Sequence, residues 1–146
     1  MSGFFAIGIS HCKTKENIGT LWRSAAAFGA SFLFTVGKRY QKQASDTVGA
    51  TRKIPLIHFT DLDDLLSHLP HSCPLIGVEQ SDISKNIETY THLPTSAYLL
   101  GGEDVGLSVQ EQKRCHAVIH IPLSTCLNVA VAGSIVMFHR QLQRNL

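Results

Sequence analysis

Apolar residues along this chain fall into short continuous runs, separated by stretches in which apolar positions recur every three or four residues. Continuous runs are typical of strands buried on both faces, and the three-to-four spacing is typical of helices with one buried face. The runs predict strands at 4–9, 31–36, 54–59, 74–79, 96–101 and 117–122. The spaced stretches predict helices at 17–29, 60–69, 108–115 and 128–143. This alternation predicts an α/β fold, with an open, mostly parallel sheet and flanking helices.

Residues that cap helices predict where these helices begin and end. Side chains of Asn, Ser, Thr and Asp accept hydrogen bonds from the first free N–H groups of a helix, and glycine often ends one. The predicted capping residues are Asn17 for the first helix, Thr60 with Asp63 for the second, Ser108 with Glu111 for the third and Asn128 for the last, and Gly29 is predicted to end the first.

Composition bounds the class of protein. The 146 residues fit one domain, and we expect a single domain over 1–146. Hydrophobic residues make up 44% and charged residues only 16%, a balance that weakly favours a surface buried in a partner. The net charge of +2 is too small for a strongly basic nucleic-acid binder. Any RNA binding would therefore use a local basic patch or the pooled charge of a dimer.

The cysteine pattern argues against a metal site. Cys12, Cys73, Cys115 and Cys126 form no C-x-x-C pair and do not combine with a spaced histidine pair. We therefore predict no metal and no disulfide framework, and free thiols favour a reducing compartment. The opening MSGFFAIGIS is too short to span a membrane and has no basic residue before its apolar run. We expect a cytoplasmic protein with no membrane partner.

Unusual residues follow three of the predicted strands, at the edge where an open parallel sheet binds ligands. Arg23 lies among core-forming residues of the first helix, where it either reaches solvent, pairs with an acid or serves a site. The run GGEDVG at 101–106 lacks the lysine of a phosphate loop, which excludes a nucleotide triphosphatase. Glu103 within it could cap a helix. Cys126 and Asn128 lie where the last helix begins. Cys126 is either a small buried apolar residue or part of a site, and Asn128 is either a helix cap or part of the same site.

Three segments together resemble the motifs of the SpoU family of ribose 2′-O-methyltransferases. NIGTLWRSAAAFGA resembles the first motif, LLGGEDVGLS the second and IPLSTCLNVAVAGSIV the third, in the family's order and over nearly the whole chain. The resemblance implies S-adenosylmethionine as cofactor, an RNA substrate and a homodimer packed through the first and last helices. It also implies a deep C-terminal trefoil knot. The chain resembles the minimal members, which favours transfer RNA over ribosomal RNA.

The resemblance also implies roles for individual residues. By their motif positions, the implied catalytic residues are Arg23, Asn17, Glu103 and Asn128, with Asn17 supporting Arg23. The implied cofactor-binding residues are Leu100, Gly101, Gly102, Ile121, Leu123, Cys126 and Leu127. Cys126 stands where the family usually has serine, and a thiol is a poorer hydrogen-bonding group than a hydroxyl.

Basic residues outside the motifs predict contacts to RNA phosphates, which should be sensitive to salt. They are Lys13, Lys15, Lys38, Arg39, Lys42, Arg52 and Lys53. Each of them alone could equally be an ordinary solvated side chain.

Three other functions compete with ribose methylation. A knotted methyltransferase could modify a base nitrogen, although the pair Asn17 and Arg23 argues against it. A binding protein could hold the cofactor or RNA without catalysis because Cys126 replaces serine. A flavodoxin-like nucleotide binder would not need Arg23, Glu103 and Asn128 on one edge of the sheet.

Overall fold

The first apolar run forms an interior strand of a parallel sheet. The computed structural model describes residues 3–37 and 53–145. Within them the strands are β1 (Phe5–Ser10), β2 (Phe32–Val36), β3 (Leu56–Phe59), β4 (Leu75–Val78), β5 (Lys85–Asn86), β6 (Ser96–Gly101) and β7 (Ala117–His120). The helices are α1 (Lys15–Phe28), α2 (Leu62–His68), α3 (Val109–Arg114) and α4 (Val129–Arg144), and a 3₁₀ turn lies at Ile87–Thr89.

The strand order explains why the unusual loops meet. The order is β3-β2-β1-β6-β4-β7-β5, and every pairing between neighbours is parallel. The carboxyl ends of β1, β6 and β7 therefore open onto one edge, as predicted. The predicted α/β class with its open parallel sheet is confirmed, and the trefoil knot stays a prediction. The two-residue β5 was not predicted, because the pair Lys85 and Asn86 has no apolar pattern.

Helices cover both faces of the sheet. One apolar cluster joins α1 and α4 to β1, β6 and β7, and a second lies on the opposite face beneath α2. Helices α1 and α4 pack against each other, and the hydroxyl oxygens of Ser24 and Ser134 are hydrogen-bonded over 3.0 Å. A Cβ atom at Gly133 would lie 2.6 Å from the Leu21 side chain, so glycine lets the two helices pack closely without moving that side chain. The two helices that carry the first and third motifs are thus one layer.

Three of the predicted helix boundaries are confirmed. Ser108 accepts from the Glu111 N–H, and the Glu111 carboxylate accepts from the Ser108 N–H, as in a full capping box. Asn128 caps α4 by accepting from the N–H groups of Ala130 and Val131. Gly29 ends α1 with φ of 82°, a left-handed conformation that favours glycine.

Two of the predicted caps are wrong. Helix α1 begins at Lys15, two residues before the predicted cap Asn17, whose side chain bonds to a distant loop instead of its own helix. Helix α2 is capped by Asp61, which accepts from the Asp64 N–H, and not by Thr60. Asp64 in turn accepts from the Thr60 N–H. The observed pair, Asp61 and Asp64, thus lies one residue after the predicted pair, Thr60 and Asp63.

A buried histidine network lies behind α4. His92 is 3% exposed, with Nδ1 at 2.6 Å from Tyr98 Oη and Nε2 at 2.9 Å from His139 Nδ1. Burial, together with the positive charges of His139, Arg140 and Arg144, lowers the pKa of His92 to about 4. Burial also raises the pKa of Tyr98 to about 12. The folded state therefore keeps His92 neutral.

We expect the free energy of unfolding to decrease as the pH falls from 6.5 to 4. In this range His92 is protonated in the unfolded chain but stays neutral in the folded one. The free energy of unfolding therefore falls by up to about 1.4 kcal/mol for each pH unit of acidification. Urea unfolding at pH 7.5 and 5.5 measures this change, and His92→Asn should reduce it. His71→Gln, which removes an exposed imidazole, should not. Equal pH dependence of wild type and His92→Asn would contradict the assignment.

Candidate active site at the carboxyl edge

A groove opens where the loops after β4, β6 and β7 meet. Its volume is about 680 Å³, within the range of roughly 300–1,000 Å³ typical of small-molecule sites. All seven predicted cofactor-binding residues line it, namely Leu100, Gly101, Gly102, Ile121, Leu123, Cys126 and Leu127. The structure therefore brings together segments that lie about twenty residues apart in sequence.

The glycine-rich loop after β6 forms a tight turn over the groove. The Gly106 N–H donates to the Gly102 carbonyl over 2.9 Å, and Gly106 has φ of 62°. A Cβ atom on Gly102 would lie 2.4 Å from the carbonyl oxygen of His11, so only glycine fits at this approach. Glu79, at the end of β4, holds the turn by accepting from the Leu107 N–H over 2.7 Å.

Glu103 binds the loop that follows β1. Its Oε1 accepts from the Lys13 N–H and its Oε2 from the Thr14 N–H, both over 3.0 Å. The Asn17 amide donates to the same Oε2 over 2.6 Å, and the Cys12 thiol lies 3.7 Å from it. Burial raises the pKa of Glu103, but the hydrogen bonds from Lys13, Asn17 and Thr14 lower it by more, to about 2. The carboxylate is therefore ionised and fully engaged, which suits a positioning role better than proton transfer.

Asn17 and Asn128 extend this contact to the last helix. Asn128 Nδ2 donates to Asn17 Oδ1 over 2.8 Å, while Asn128 Oδ1 caps α4. A continuous series of hydrogen bonds thus runs from Glu103 through Asn17 to Asn128. We call these three side chains the carboxylate–amide chain. It joins one residue from each of the three predicted motifs.

Arg23 lies apart from the carboxylate–amide chain. Asn17 is buried, whereas Arg23 is exposed and makes no hydrogen bond or ion pair with residues 3–37 or 53–145. Six residues of helix turn the chain by about 600°, which places Arg23 and Asn17 on different faces of α1. The implied support of Arg23 by Asn17 is therefore not a contact in this structure. The exposed face of α1 that holds Arg23 also includes Glu16, Thr20 and Ala27.

The loop before α4 is open to solvent. Residues 122–127 are all exposed, so the alternative in which Cys126 is a small buried apolar residue is wrong. Within the described parts of the chain, the Leu123 N–H donates the loop's one backbone hydrogen bond, to the carbonyl of Ile121. Other backbone donors and acceptors of this loop are therefore available to a ligand.

The predicted basic residues are only partly described. Lys13 is exposed and forms an ion pair with Asp104 over 2.8 Å, which raises the pKa of Lys13 through a hydrogen bond and charge attraction. Lys15 and Lys53 are also exposed. The predictions at Lys38, Arg39, Lys42 and Arg52 lie outside the described residues.

Sequence reasoning missed two polar groups of the groove, Glu79 and His120. Glu79 follows β4 and His120 is the last residue of β7, and the two strands pair in parallel with Val78 opposite Ile119. The signal was present, because the predicted strands 74–79 and 117–122 include both residues. The predicted strands extend past the observed ends of β4 and β7. Glu79 and His120 were therefore expected within the sheet and not at its edge.

The sequence also predicts no metal site and no membrane span. Among residues 3–37 and 53–145, no three His, Cys, Asp or Glu side chains are grouped so that they could hold a metal ion. In the same described residues, every helix is too short or too polar to cross a membrane.

Comparison with sequence families and relatives gives a consistent set of matches. The model of the SpoU rRNA Methylase family matches residues 5–138. An uncharacterized tRNA/rRNA methyltransferase of Archaeoglobus fulgidus is 26% identical over 149 residues, which cover 97% of this chain and 66% of that protein. The 23S rRNA (guanosine-2'-O-)-methyltransferase RlmB of Nitrosomonas europaea is 29% identical over 134 residues, 86% of this chain and 51% of that protein. The chain thus spans between half and two thirds of these relatives.

Solved structures share the fold. The SpoU methyltransferase AviRb of Streptomyces viridochromogenes, in complex with AdoMet, has a TM-score of 0.87 at 20% identity, covering 99% of this chain and 59% of that one. A structure described as giving insight into the 2-OH methylation of C/U34 on tRNA has a TM-score of 0.83 at 18% identity, covering 98% and 97%. At these identities the likeness extends to the architecture of the sheet and helices.

Proposed function

The chain belongs to the SpoU rRNA Methylase family, and we propose that it transfers a methyl group from S-adenosylmethionine to a ribose 2′-hydroxyl of RNA. The observation that carries this proposal is the carboxylate–amide chain. It links one residue of each motif, Asn17, Glu103 and Asn128, at the mouth of a groove of suitable size. A nucleotide binder of the flavodoxin type would not require this linkage.

The groove fits S-adenosylmethionine in size and in chemistry. The glycine turn at 101–106 lets backbone approach a ligand closely, and the open loop 122–127 offers backbone groups that the fold leaves unbonded. Leu100, Leu123 and Leu127 supply apolar surface. When bound, the cofactor supplies an activated methyl group on a positively charged sulfur.

Arg23 is the proposed catalytic residue. A ribose 2′-hydroxyl is a weak nucleophile: as its oxygen bonds to the methyl carbon, its proton passes to water and S-adenosylhomocysteine leaves. Negative charge therefore develops on the oxygen as the proton departs. An arginine guanidinium stays protonated and presents a planar fork of donors to an alkoxide and a neighbouring phosphate. We therefore assign Arg23 the role of orienting and stabilising the nucleophile. Since its guanidinium is not held by residues 3–37 or 53–145, RNA and a partner subunit can set its position.

The favoured substrate is transfer RNA, with ribosomal RNA as the alternative. Names of the relatives include both substrates, since RlmB is a 23S rRNA enzyme and the C/U34 structure concerns tRNA. Exposed Lys13 and Lys15 offer positive charge near the carboxyl edge, whereas exposed Lys53 precedes β3 and lies toward the amino edge of the sheet. A second candidate function is a protein that binds cofactor and RNA without catalysis, favoured by the exposed thiol of Cys126 in place of the usual serine.

The proposed function is tested by methyl transfer from labelled S-adenosylmethionine to unmodified transfer RNA and ribosomal RNA, followed by alkaline hydrolysis. A 2′-O-methyl group blocks cleavage at its own linkage, so we expect label in an alkali-resistant dinucleotide. Label in mononucleotides would instead indicate base methylation and remove the role of Arg23. Cofactor binding without transfer to either RNA would favour the non-catalytic protein.

We also propose a homodimer in which a second copy covers an apolar stripe of α4. Val131, Ile135, Phe138 and Leu142 are exposed and spaced by four, three and four residues, which places them on one helix face. An exposed apolar face of this kind is typical of a protein interface. The low content of charged residues, 16%, agrees with a surface that is buried in a partner.

Replacing Phe138, at the centre of this stripe, should disrupt the dimer. Phe138→Glu would bury a charge in the interface, and we expect the dissociation constant to rise at least about 30-fold. Analytical ultracentrifugation over a concentration series measures it. Ile83→Glu is the matched control, because Ile83 is an exposed apolar residue away from α4. A dimer unaffected by Phe138→Glu would place the interface elsewhere.

A further inference from the structure

We propose that His120 is a hydrogen-bond acceptor for the adenosyl group of the cofactor, acting through Nε2. The inference rests on the proposed function, since it places S-adenosylmethionine in the groove. It assigns a residue outside the three motifs to the nucleoside end of that groove. The evidence lies in the hydrogen bonds that fix the tautomer of this histidine.

The serine beside His120 determines which ring nitrogen carries the proton. Ser84 Oγ lies 2.7 Å from the Ser81 carbonyl oxygen and 2.8 Å from His120 Nδ1. A hydroxyl has one proton, and a carbonyl can only accept, so the Ser84 proton goes to Ser81. His120 Nδ1 must then donate to Ser84 Oγ. The Ser81 N–H donates to the same oxygen over 3.1 Å, which completes its bonding.

The fixed tautomer leaves Nε2 of His120 as an acceptor. A neutral imidazole with a proton on Nδ1 carries a lone pair on Nε2. Within residues 3–37 and 53–145, Nε2 has no hydrogen-bond partner, and it is not among the buried side-chain atoms without one, which are Ser81 Oγ and Arg140 Nε. The lone pair is therefore accessible, and His120 lines the groove.

The position of His120 favours the nucleoside end of the groove. Glu79 and His120 directly follow the paired residues Val78 and Ile119 of β4 and β7, and the Glu79 N–H donates to the Ile119 carbonyl over 2.9 Å. Two acceptor side chains thus lie side by side at the carboxyl ends of neighbouring strands. The carboxylate–amide chain lies on the far side of the groove, next to helix α1, which carries the proposed catalytic residue Arg23. A ligand with its reactive end near that chain directs its other end toward His120.

The donors of an adenosyl group match this acceptor. They are the 6-amino group of adenine and the 2′- and 3′-hydroxyls of its ribose, and either class could bond to Nε2. Both have the same hydrogen-bond chemistry, so analogues that lack one donor at a time separate them. S-inosylhomocysteine lacks the 6-amino group, and deoxy forms of S-adenosylhomocysteine each lack one hydroxyl.

Isothermal titration of these ligands tests the inference. Wild type should bind S-adenosylhomocysteine about tenfold more tightly than the analogue that lacks the donor bonded to Nε2. His120→Phe should bind the two equally. Ser84→Ala removes the acceptor for Nδ1 and frees the tautomer, so it should reduce the discrimination. His71→Phe, an exposed control, should keep the wild-type ratio.

The ratio of affinities separates recognition from general damage to the fold, because a merely structural role would weaken all ligands alike. If His120→Phe keeps the wild-type discrimination against every analogue, the inference is overturned while the proposed function stands. If wild type binds no S-adenosylhomocysteine at all, the proposed function fails and the inference fails with it.

Discussion

Replacing Arg23 with alanine is expected to reduce methyl transfer at least about 100-fold, while leaving the fold and cofactor affinity unchanged. The reason is that Arg23 is exposed and unbonded within the described residues, so the folded chain loses no internal contact. The developing alkoxide loses a fixed positive charge. Single-turnover transfer to RNA measures the rate, and titration with S-adenosylhomocysteine and thermal unfolding measure the other two properties.

Two further variants decide how Arg23 acts. Arg23→Lys keeps the charge but loses the planar fork, so a rate close to wild type would contradict bidentate positioning. Arg114→Ala is the matched control, because Arg114 is an exposed arginine that pairs with Asp63 on the opposite face of the sheet. Normal transfer by Arg23→Ala would remove the residue from the mechanism.

Replacing Asn17 with aspartate is expected to lower the free energy of unfolding by about 2–3 kcal/mol at pH 7. The new carboxylate oxygen would take the place of the amide nitrogen that lies 2.6 Å from Glu103 Oε2. One hydrogen bond would become a repulsion between two carboxylates, whereas the other oxygen could still accept from Asn128. Cofactor affinity should fall as well, because Asn17 joins the loops that form the groove.

Urea unfolding of wild type, Asn17→Asp and Asn17→Ala separates repulsion from loss of bonding. Alanine removes both hydrogen bonds without adding charge, so its effect should be smaller at pH 7. The defect of Asn17→Asp should also shrink toward pH 5, because a proton shared between the two carboxyls restores a hydrogen bond. Equal losses for both variants at both pH values would show that Glu103 is not ionised beside Asn17.

Sequence patterns predicted the elements and the edge of the sheet because those depend on local periodicity. The capping box of Ser108 and Glu111 and the cap at Asn128 were found because each involves neighbours within three residues. The role of Asn17 could not be predicted in this way, because it depends on a contact between residues that are distant in sequence. Its partner Glu103 is 86 residues away, and no local pattern contains that contact.

The cofactor-binding residues that the resemblance implies line one groove, but the resemblance did not supply the contacts among the implied catalytic residues. Three of the four implied catalytic residues bond to one another, whereas Arg23 faces away from them. That difference depends on which faces of α1 Asn17 and Arg23 occupy relative to the sheet, and a motif does not encode this orientation. His120 and Glu79 were missed because a continuous apolar run hides the residue at which a strand ends.

The carboxylate–amide chain has a consequence for how the protein folds. Its two bonds join residues separated by 86 and 111 positions, so closing them requires almost the whole chain to be in place. Contacts of such high sequence separation form late and slowly, because loop closure must precede them. An intermediate that has paired β1 with β2 would still lack the groove. During refolding, ligand binding should therefore appear later than the helical circular dichroism signal. The time course of ligand binding would report when the last step of folding is complete.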